Sequence, residues 1–291
     1  MSGMHKRTLA LSLSLAAAIA ATVYVMAAGP HRLPLQTQRS SPQDLEVTGD
    51  LPGLATGQSR FVRYADLAAL PQVSYTVKDD PDFDKPVQLS GVALDEVVSA
   101  LGFAAGKQLV AAVGSDGYEG HYTTTHRMQH HPFLVLKMEG REPAQWQRGP
   151  NGEMFAPYFV AYPQFRPAFH ILAQPDAPQL PTAVTKLRFL DESTAMTALR
   201  PPAKAPAGAA DGYRIAMVNC LRCHQGHDIG GTKSPFGWPQ MALIAQGNAS
   251  AFGKYLVQPN RVNPEATMPP NPEFDPATVA AVTAYFQSQG Q

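Results

Sequence analysis

The sequence predicts an α+β protein of two domains, in which a β-rich domain is followed by an all-α domain. Short apolar runs separated by turn residues recur between residues 87 and 190, which is typical of short strands. After residue 211 the apolar residues recur at helical spacing. Between the two patterns, residues 200–210 are rich in proline and alanine and show no apolar period. We therefore expect a linker at 200–210 that separates a domain at 41–199 from a domain at 211–291.

The composition is that of a globular protein and excludes several classes of function. Of the 291 residues, 44% are hydrophobic and 16% are charged, and 23 Lys and Arg balance 23 Asp and Glu. That length suffices for two domains with a packed core in each. A chain without net charge lacks the basic surface that holds nucleic acid, so we expect no nucleic-acid partner. The sequence has no GxSxG, no HExxH and no phosphate-binding glycine loop, so it gives no support to hydrolase or nucleotide functions.

The first 28 residues have the layout of an export signal. Lys6 and Arg7 precede an uncharged run rich in leucine and alanine that continues to Ala28. The small residue Ala27, with Val25 two positions before it, suits cleavage by signal peptidase. The same run is also long enough to span a bilayer, so cleavage and retention both stay open. We expect a periplasmic protein that is either soluble or anchored to the inner membrane by this segment.

The first domain is predicted to consist mainly of strands. The one helix predicted here covers residues 94–101, because its apolar residues share one face, and Gly102 stands at its C-terminal cap. Turn residues such as those at 115–117 follow several of the apolar runs. The predicted strands contain residues 87–89, 109–113, 133–138, 158–162 and 184–190.

The second domain is predicted to be helical from its first residues to its last. Asp211 is placed to cap a helix that carries Ile215, and shorter helices are expected at 241–244 and 251–257. The last helix is the clearest, because Asp275 is a favourable N-cap and Pro276 fits the first helical position.

Both cysteines of the chain lie in the sequence Cys220-Leu221-Arg222-Cys223-His224. This is the C-x-x-C-H pattern of covalent haem attachment. Two thiols three residues apart at a helix end can bond the two vinyl groups on one porphyrin edge, and the adjacent imidazole can then reach the iron. The competing interpretations are a disulfide, a redox pair and half of a zinc site. A zinc site needs a second pair of ligands, and a thioredoxin-like pair needs a βαβ setting, so we predict one covalent haem c.

Met268 is the predicted second axial ligand of the iron. It lies 44 residues after His224 in the sequence Asn-Pro-Glu-Ala-Thr-Met-Pro-Pro, whose prolines favour an extended loop that can hold a thioether against the metal. The other candidates are less suitable: Met217 is on the helix of the cysteines, and Met241 is predicted to be helical. Core packing is the usual role of methionine, but this Pro-rich loop offers little core.

Residues 211–291 resemble a class I cytochrome c domain. The resemblance is carried by CLRCH, by ATMPPNP and by the closing amphipathic helix that ends in AYFQSQ. It implies that the iron has His224 and Met268 as axial ligands, that no coordination site is open and that the domain transfers single electrons. It also implies that a proline after the haem motif presents its carbonyl to the proximal imidazole, and Pro235 is at a suitable place.

Residues 41–199 are similar to the molybdopterin-binding domain of the sulfite oxidase family. The similarity is carried by GVALDEVVSALGF, QLVAAVGSDGYEGHY and HPFLVLKMEGREP. That family holds molybdenum with a cysteine thiolate, whereas residues 1–219 of this chain contain no cysteine. We therefore expect a docking or regulatory module on this scaffold that has lost its molybdopterin cofactor.

One cluster in the first domain has the composition of a metal site. Its six carboxylate and imidazole side chains lie within 16 residues, although their spacing matches no standard ligand pattern. A polar loop with solvated histidines is therefore the favoured interpretation. The six residues are Asp116, Glu119, His121, His126, His130 and His131.

These observations favour an electron carrier over an enzyme. We expect a periplasmic mono-haem cytochrome that passes electrons between two redox partner proteins, a dehydrogenase and a downstream acceptor. In the alternative, the first domain binds a cofactor or metal, oxidises a small substrate and passes electrons to the haem. A third interpretation is a haem sensor in which a gas displaces Met268.

Overall fold

The protein has a mixed α/β fold, seen in a computed structural model that describes residues 32–289 apart from 79, 105, 151 and 165–176. Those residues form two β-sheets and nine α-helices. The predicted export segment at 1–28 lies outside the described residues. Within the described part of the chain, no helix combines the length and the apolar character needed to cross a membrane.

The larger sheet has five strands in the order β2-β1-β9-β5-β6. Its central strand β9 pairs in parallel with β1 and antiparallel with β5, so the last strand of the chain lies at the middle of the sheet. Inward side chains of β9, among them Leu187 and Phe189, are fully buried. The strands are β1 (Leu45–Gly49), β2 (Arg60–Val62), β5 (Gln108–Gly114), β6 (Glu119–Tyr122) and β9 (Val184–Asp191).

The smaller sheet is antiparallel throughout and has the order β3-β4-β7-β8. One apolar cluster contains residues of both sheets, such as Val47 and Leu134, together with Val97 from the helix after β4. Burial of this shared surface holds the two sheets together. The strands are β3 (Val73–Val77), β4 (Val87–Ala93), β7 (Phe133–Met138) and β8 (Phe159–Ala161).

Three short helices connect these strands, and a fourth follows β9. The predicted helix at 94–101 is confirmed as α2, with Gly102 in the left-handed region at φ +86° after it. All five predicted strand segments are confirmed in β4, β5, β7, β8 and β9, whereas β1, β2, β3 and β6 were not predicted. The helices are α1 (Tyr64–Ala68), α2 (Leu94–Ala100), α3 (Thr124–His130) and α4 (Glu192–Ala195).

The elements described after residue 208 are helices. The last helix begins as predicted, because the Asp275 side chain accepts a hydrogen bond from the Thr278 N–H and Pro276 is the first helical residue. The predicted cap at Asp211 is wrong: the first helix starts two residues earlier, and Asp211 pairs with Arg214 within the helix. The helices are α5 (Ala209–Asn219), α6 (Trp238–Gly247), α7 (Ala249–Val257), α8 (Pro259–Val262) and α9 (Pro276–Ser288).

Helices α5 and α9 cross in close contact. A Cβ atom on Gly212 would lie 2.0 Å from the Ala281 carbonyl oxygen, so only glycine allows this approach. The Tyr285 hydroxyl on α9 accepts a hydrogen bond from Trp238 Nε1 at 2.8 Å and donates one to the Leu199 carbonyl at 2.7 Å. The apolar cluster formed by these helices therefore also includes Leu199, which precedes the predicted linker at the end of the β-rich part.

Candidate haem site

The attachment segment begins where α5 ends. Cys220 caps α5, and both Cys223 and His224 donate backbone hydrogen bonds to the Cys220 carbonyl, at 3.1 and 2.9 Å. This turn brings the two cysteines and the imidazole to one end of the helix. Cys220 is buried, Cys223 is half-buried, and neither forms a disulfide.

Burial keeps the two thiols of the attachment segment protonated. Burial raises the pKa of Cys220 to about 12, although the Arg222 charge opposes this shift, and burial also raises the pKa of Cys223. A redox C-x-x-C pair works through a thiolate of lowered pKa, so these raised values do not favour that interpretation. The described residues also contain no group of three His, Cys, Asp or Glu side chains able to hold a metal ion. Both thiols are therefore protonated at neutral pH.

His224 is held in the tautomer that an iron ligand requires. Its Nδ1 donates a hydrogen bond to the Phe236 carbonyl at 2.7 Å, so the lone pair is on Nε2. Burial lowers the pKa of His224, and the bond to Phe236 opposes that shift only in part. The neutral ring is therefore favoured at neutral pH, and within the described part of the chain Nε2 makes no hydrogen bond.

The carbonyl that orients His224 belongs to Phe236, one residue after Pro235, whose carbonyl was expected to have this role. The segment is anchored at its start, where Ser234 N–H donates to the Cys223 carbonyl at 2.9 Å. It is anchored at its end, where Trp238 N–H donates to the Gln225 carbonyl at 2.9 Å. Phe236 is the midpoint between these anchors, so its carbonyl and not that of Pro235 contacts the imidazole.

Three consecutive carbonyls of the attachment segment accept hydrogen bonds from residues outside it. Gly231 N–H donates to Leu221 at 2.8 Å, and Ser234 N–H donates to Cys223. The Arg222 carbonyl accepts from the Glu119 N–H of strand β6 at 2.9 Å. The haem motif is therefore fixed partly by its own loop and partly by the larger sheet.

Met268 lies in the loop between α8 and α9 and is half-buried. It packs against the apolar cluster that contains Cys220, so the predicted ligand and the attachment segment border the same cluster. Met217 and Met241 are members of that cluster, with side chains 8% and 6% exposed, on helices α5 and α6 as predicted. Met268 is the least buried of the three.

Large apolar side chains remain exposed in the helical part. Phe236, whose carbonyl contacts His224, is 51% exposed, and Leu243 on α6 is 68% exposed. Ile244 and Val262 are also exposed. The donor set and the tautomer of His224 fit a covalent haem.

The six candidate metal ligands at 116–131 are not brought together as one site. Asp116 forms an ion pair with Lys233, and Glu119 accepts a hydrogen bond from His121 Nε2 at 2.9 Å. His126 Nε2 contacts the Tyr162 hydroxyl at 2.9 Å. These side chains serve structural contacts in the described residues.

The arrangement as a whole combines two protonated thiols, an oriented imidazole and a thioether that packs against the apolar cluster containing Cys220. Such a set can attach a porphyrin covalently and ligate its iron from two sides. Sequence reasoning missed Phe236, and it named Glu119 only as a candidate metal ligand, because neither residue's contact with the attachment segment belongs to a local motif. Neither the protein-family models nor the curated proteins contain a match to this chain.

Proposed function

We propose that the protein is a periplasmic mono-haem c-type cytochrome that transfers single electrons between a partner dehydrogenase and a downstream acceptor. The observation that carries this proposal is the His224 tautomer. Its Nδ1 is committed to the Phe236 carbonyl at 2.7 Å, which leaves Nε2 as a ligand beside two free thiols. An imidazole oriented in this way by a carbonyl is typical of metal-ligating histidines.

Cys220 and Cys223 would form the thioether bonds, while His224 Nε2 and Met268 Sδ would be the axial ligands. When bound, haem supplies a one-electron centre whose potential is raised by His/Met ligation. The chain's own contribution is to hold these ligands still. The hydrogen-bonded carbonyls at 221–223 keep His224 in place, and Met268 packs against the apolar cluster that contains Cys220.

The two resemblances support this assignment. In our proposal, residues 211–291 form an all-α class I cytochrome c domain, and residues 41–199 form a β-rich domain similar to the molybdopterin-binding domain of the sulfite oxidase family. That first domain lacks the cysteine that would ligate molybdenum, so we assign it a docking or regulatory role. The export-like segment at 1–28 supports a periplasmic location, which is also where covalent haem attachment takes place in bacteria.

A cavity favours the enzymatic alternative as a second candidate. It has a volume of about 310 Å³ and lies between His121 and Gln179 of the β-rich part and Met217 and Val218 of α5. A small substrate in this cavity would lie against the helix that carries Cys220. Metal and pterin analysis of the purified protein, with substrate-dependent haem reduction, separates the two candidates. Stoichiometric molybdenum would favour the enzyme.

The test of the proposed function is covalent haem on the full-length chain, produced in a host with haem-ligation machinery. We expect one haem per chain by intact mass, and an absorption spectrum of a low-spin c-type haem. The Cys220→Ala/Cys223→Ala double variant should lose the covalent haem. The matched control is His227→Ala, an exposed histidine three residues after His224, which should keep the spectrum. A colourless wild-type protein with both thiols free would contradict the proposal.

A further inference from the structure

The side chain of Glu119 is an unusual feature of the contact between the larger sheet and the haem motif. It is 4% exposed, and three donors surround its carboxylate. Oε1 accepts from the Gly230 N–H at 3.0 Å and from His121 Nε2 at 2.9 Å, and Oε2 accepts from Arg188 Nη1 at 2.9 Å. A buried carboxylate with this many donors is a fixed charge.

The same residue contacts the attachment segment through its backbone. Glu119 N–H donates to the carbonyl of Arg222, which lies between the two cysteines. Its partner Arg188 donates from Nη2 to the Asp228 carbonyl at 2.6 Å, in the loop after His224. Glu119 and Arg188 therefore bind the haem segment on both sides of the proximal histidine.

Neighbouring residues of the turn between β5 and β6 extend this contact. Thr232 N–H donates to the Gly117 carbonyl at 2.8 Å, and Lys233 pairs with Asp116. The β-rich part thus forms one wall of the segment that would carry the haem.

We propose that Glu119 is a positioning residue for the haem segment, and that its buried charge and the partly exposed charge of Arg188 tune the reduction potential of the haem in opposite directions. This inference rests on the proposed function. A negative charge close to the iron stabilises its oxidised, more positive state, and a positive charge stabilises the reduced state. In the native protein the two charges largely balance. The β-rich part therefore acts on the haem electrostatically in addition to any docking role.

Two variants of the full-length haem-loaded protein separate a charge effect from a loss of structure, because both break the same ion pair. Glu119→Gln leaves Arg188 unbalanced and should raise the midpoint potential. Arg188→Gln leaves Glu119 unbalanced and should lower it. At the wild-type midpoint we expect the ratio of reduced to oxidised protein to rise about tenfold in the first variant and fall about tenfold in the second, and tenfold corresponds to about 59 mV for one electron.

Glu46→Gln is the matched control, because Glu46 forms ion pairs with Arg39 and Lys186 on the same sheet. At the wild-type midpoint potential, the ratio of reduced to oxidised protein in this variant should stay within a factor of two of the wild-type ratio. Shifts of the same sign in Glu119→Gln and Arg188→Gln, or no shift in either, would overturn the electrostatic role.

Amide hydrogen exchange at Gly230 tests the positioning role without any haem signal. Glu119→Ala removes the acceptor of the Gly230 N–H, so exchange there should become at least tenfold faster than in wild type. Glu119→Gln keeps an acceptor oxygen and should restore most of the protection. Unchanged exchange in Glu119→Ala would overturn the positioning role. A wild-type chain without haem would instead refute the proposed function, and Gly230 exchange would still decide whether Glu119 positions the loop.

Discussion

The two sides of the candidate iron site are held in different ways. On the His224 side, the backbone is tied by hydrogen bonds to its own loop and to strand β6. On the Met268 side, the loop is shaped by Pro264, Pro269 and Pro270, which fix backbone angles but have no N–H to donate. Its contact with the helices runs mainly through Asn271, whose N–H and side chain donate to the carbonyls of Val257 and Leu256.

This difference predicts that substitutions on the two sides will affect different properties of the protein, namely its stability on one side and iron ligation on the other. A side fixed by many long-range hydrogen bonds should lose folding free energy when it is disturbed. A side fixed by local restriction of the chain should lose its ligand with little effect on the fold. The predictions below test this contrast, from the largest to the smallest expected effect on the free energy of unfolding, and each is followed by a control or complementary variant.

The largest effect is expected for Gly231→Ala on the His224 side. An added Cβ would lie 2.1 Å from the Arg222 carbonyl oxygen and 2.7 Å from that of Gly117. Both atoms are backbone, so the loop has to move away from the haem motif. We expect the free energy of unfolding to fall by about 4 kcal/mol, measured by urea denaturation.

The matched control for this substitution is Gly247→Ala at the end of α6, where an added Cβ meets no atom within 4 Å. Alanine is the better helix former, so this variant should be as stable as wild type or more stable by up to about 1 kcal/mol. Equal stability of the two alanine variants would show that the loop around Gly231 is not tightly packed.

Acid should weaken the His224 side through Glu119. Burial opposes ionisation of this carboxyl, but hydrogen bonds and charges from His121, Arg188 and Gly230 outweigh it and lower the pKa from 4.5 to about 2. A lowered pKa in the folded state means that this stabilisation is complete above pH 4.5 and is lost as the pH falls toward 2. The loss should amount to about 3 kcal/mol, and urea denaturation between pH 6 and pH 2.5 measures most of it.

Glu119→Gln has no carboxyl to protonate, so its stability should depend less on pH over this range. The Glu46→Gln variant serves again as control and should keep the acid step of the wild type. An acid step of the same size in Glu119→Gln would place the responsible carboxyl elsewhere.

Local patterns predicted much of this molecule, and the His224 side shows where they fail. The C-x-x-C-H motif and the Asp275–Pro276 helix start are encoded within a few residues, so sequence alone located them. The contact of Glu119 with Gly230 joins residues 111 positions apart, and no local spacing reports such a pair. The choice of Phe236 over Pro235 depends on where two distant anchors fix the loop. Sequence thus identified the candidate ligands but not the structure that holds them.

The smallest effect on folding is expected for Met268→Ala, on the other side of the candidate iron site. This half-buried side chain lies at the edge of the apolar cluster, so its removal should cost about 1 kcal/mol of packing. If Met268 is the axial ligand, the same variant should lose the long-wavelength sulfur-to-iron absorption band, and its reduced form should bind carbon monoxide readily. Wild-type protein should keep this band and should not bind carbon monoxide readily at neutral pH. Ready binding of carbon monoxide by the wild type would favour a haem sensor.

Met241→Ala is the complementary variant, because Met241 is 6% exposed within the same cluster but lies on α6. Deleting a core methionine should lower the free energy of unfolding by about 3 kcal/mol while the sulfur-to-iron band is retained. The two variants should therefore have opposite effects. Met268→Ala should lose the absorption band and keep most of the stability, whereas Met241→Ala should keep the band and lose stability. Loss of the band in Met241→Ala, with its retention in Met268→Ala, would move the ligand from the proline-rich loop to helix α6. The contrast between the two sides would then fail, because the second ligand would be held by a packed helix.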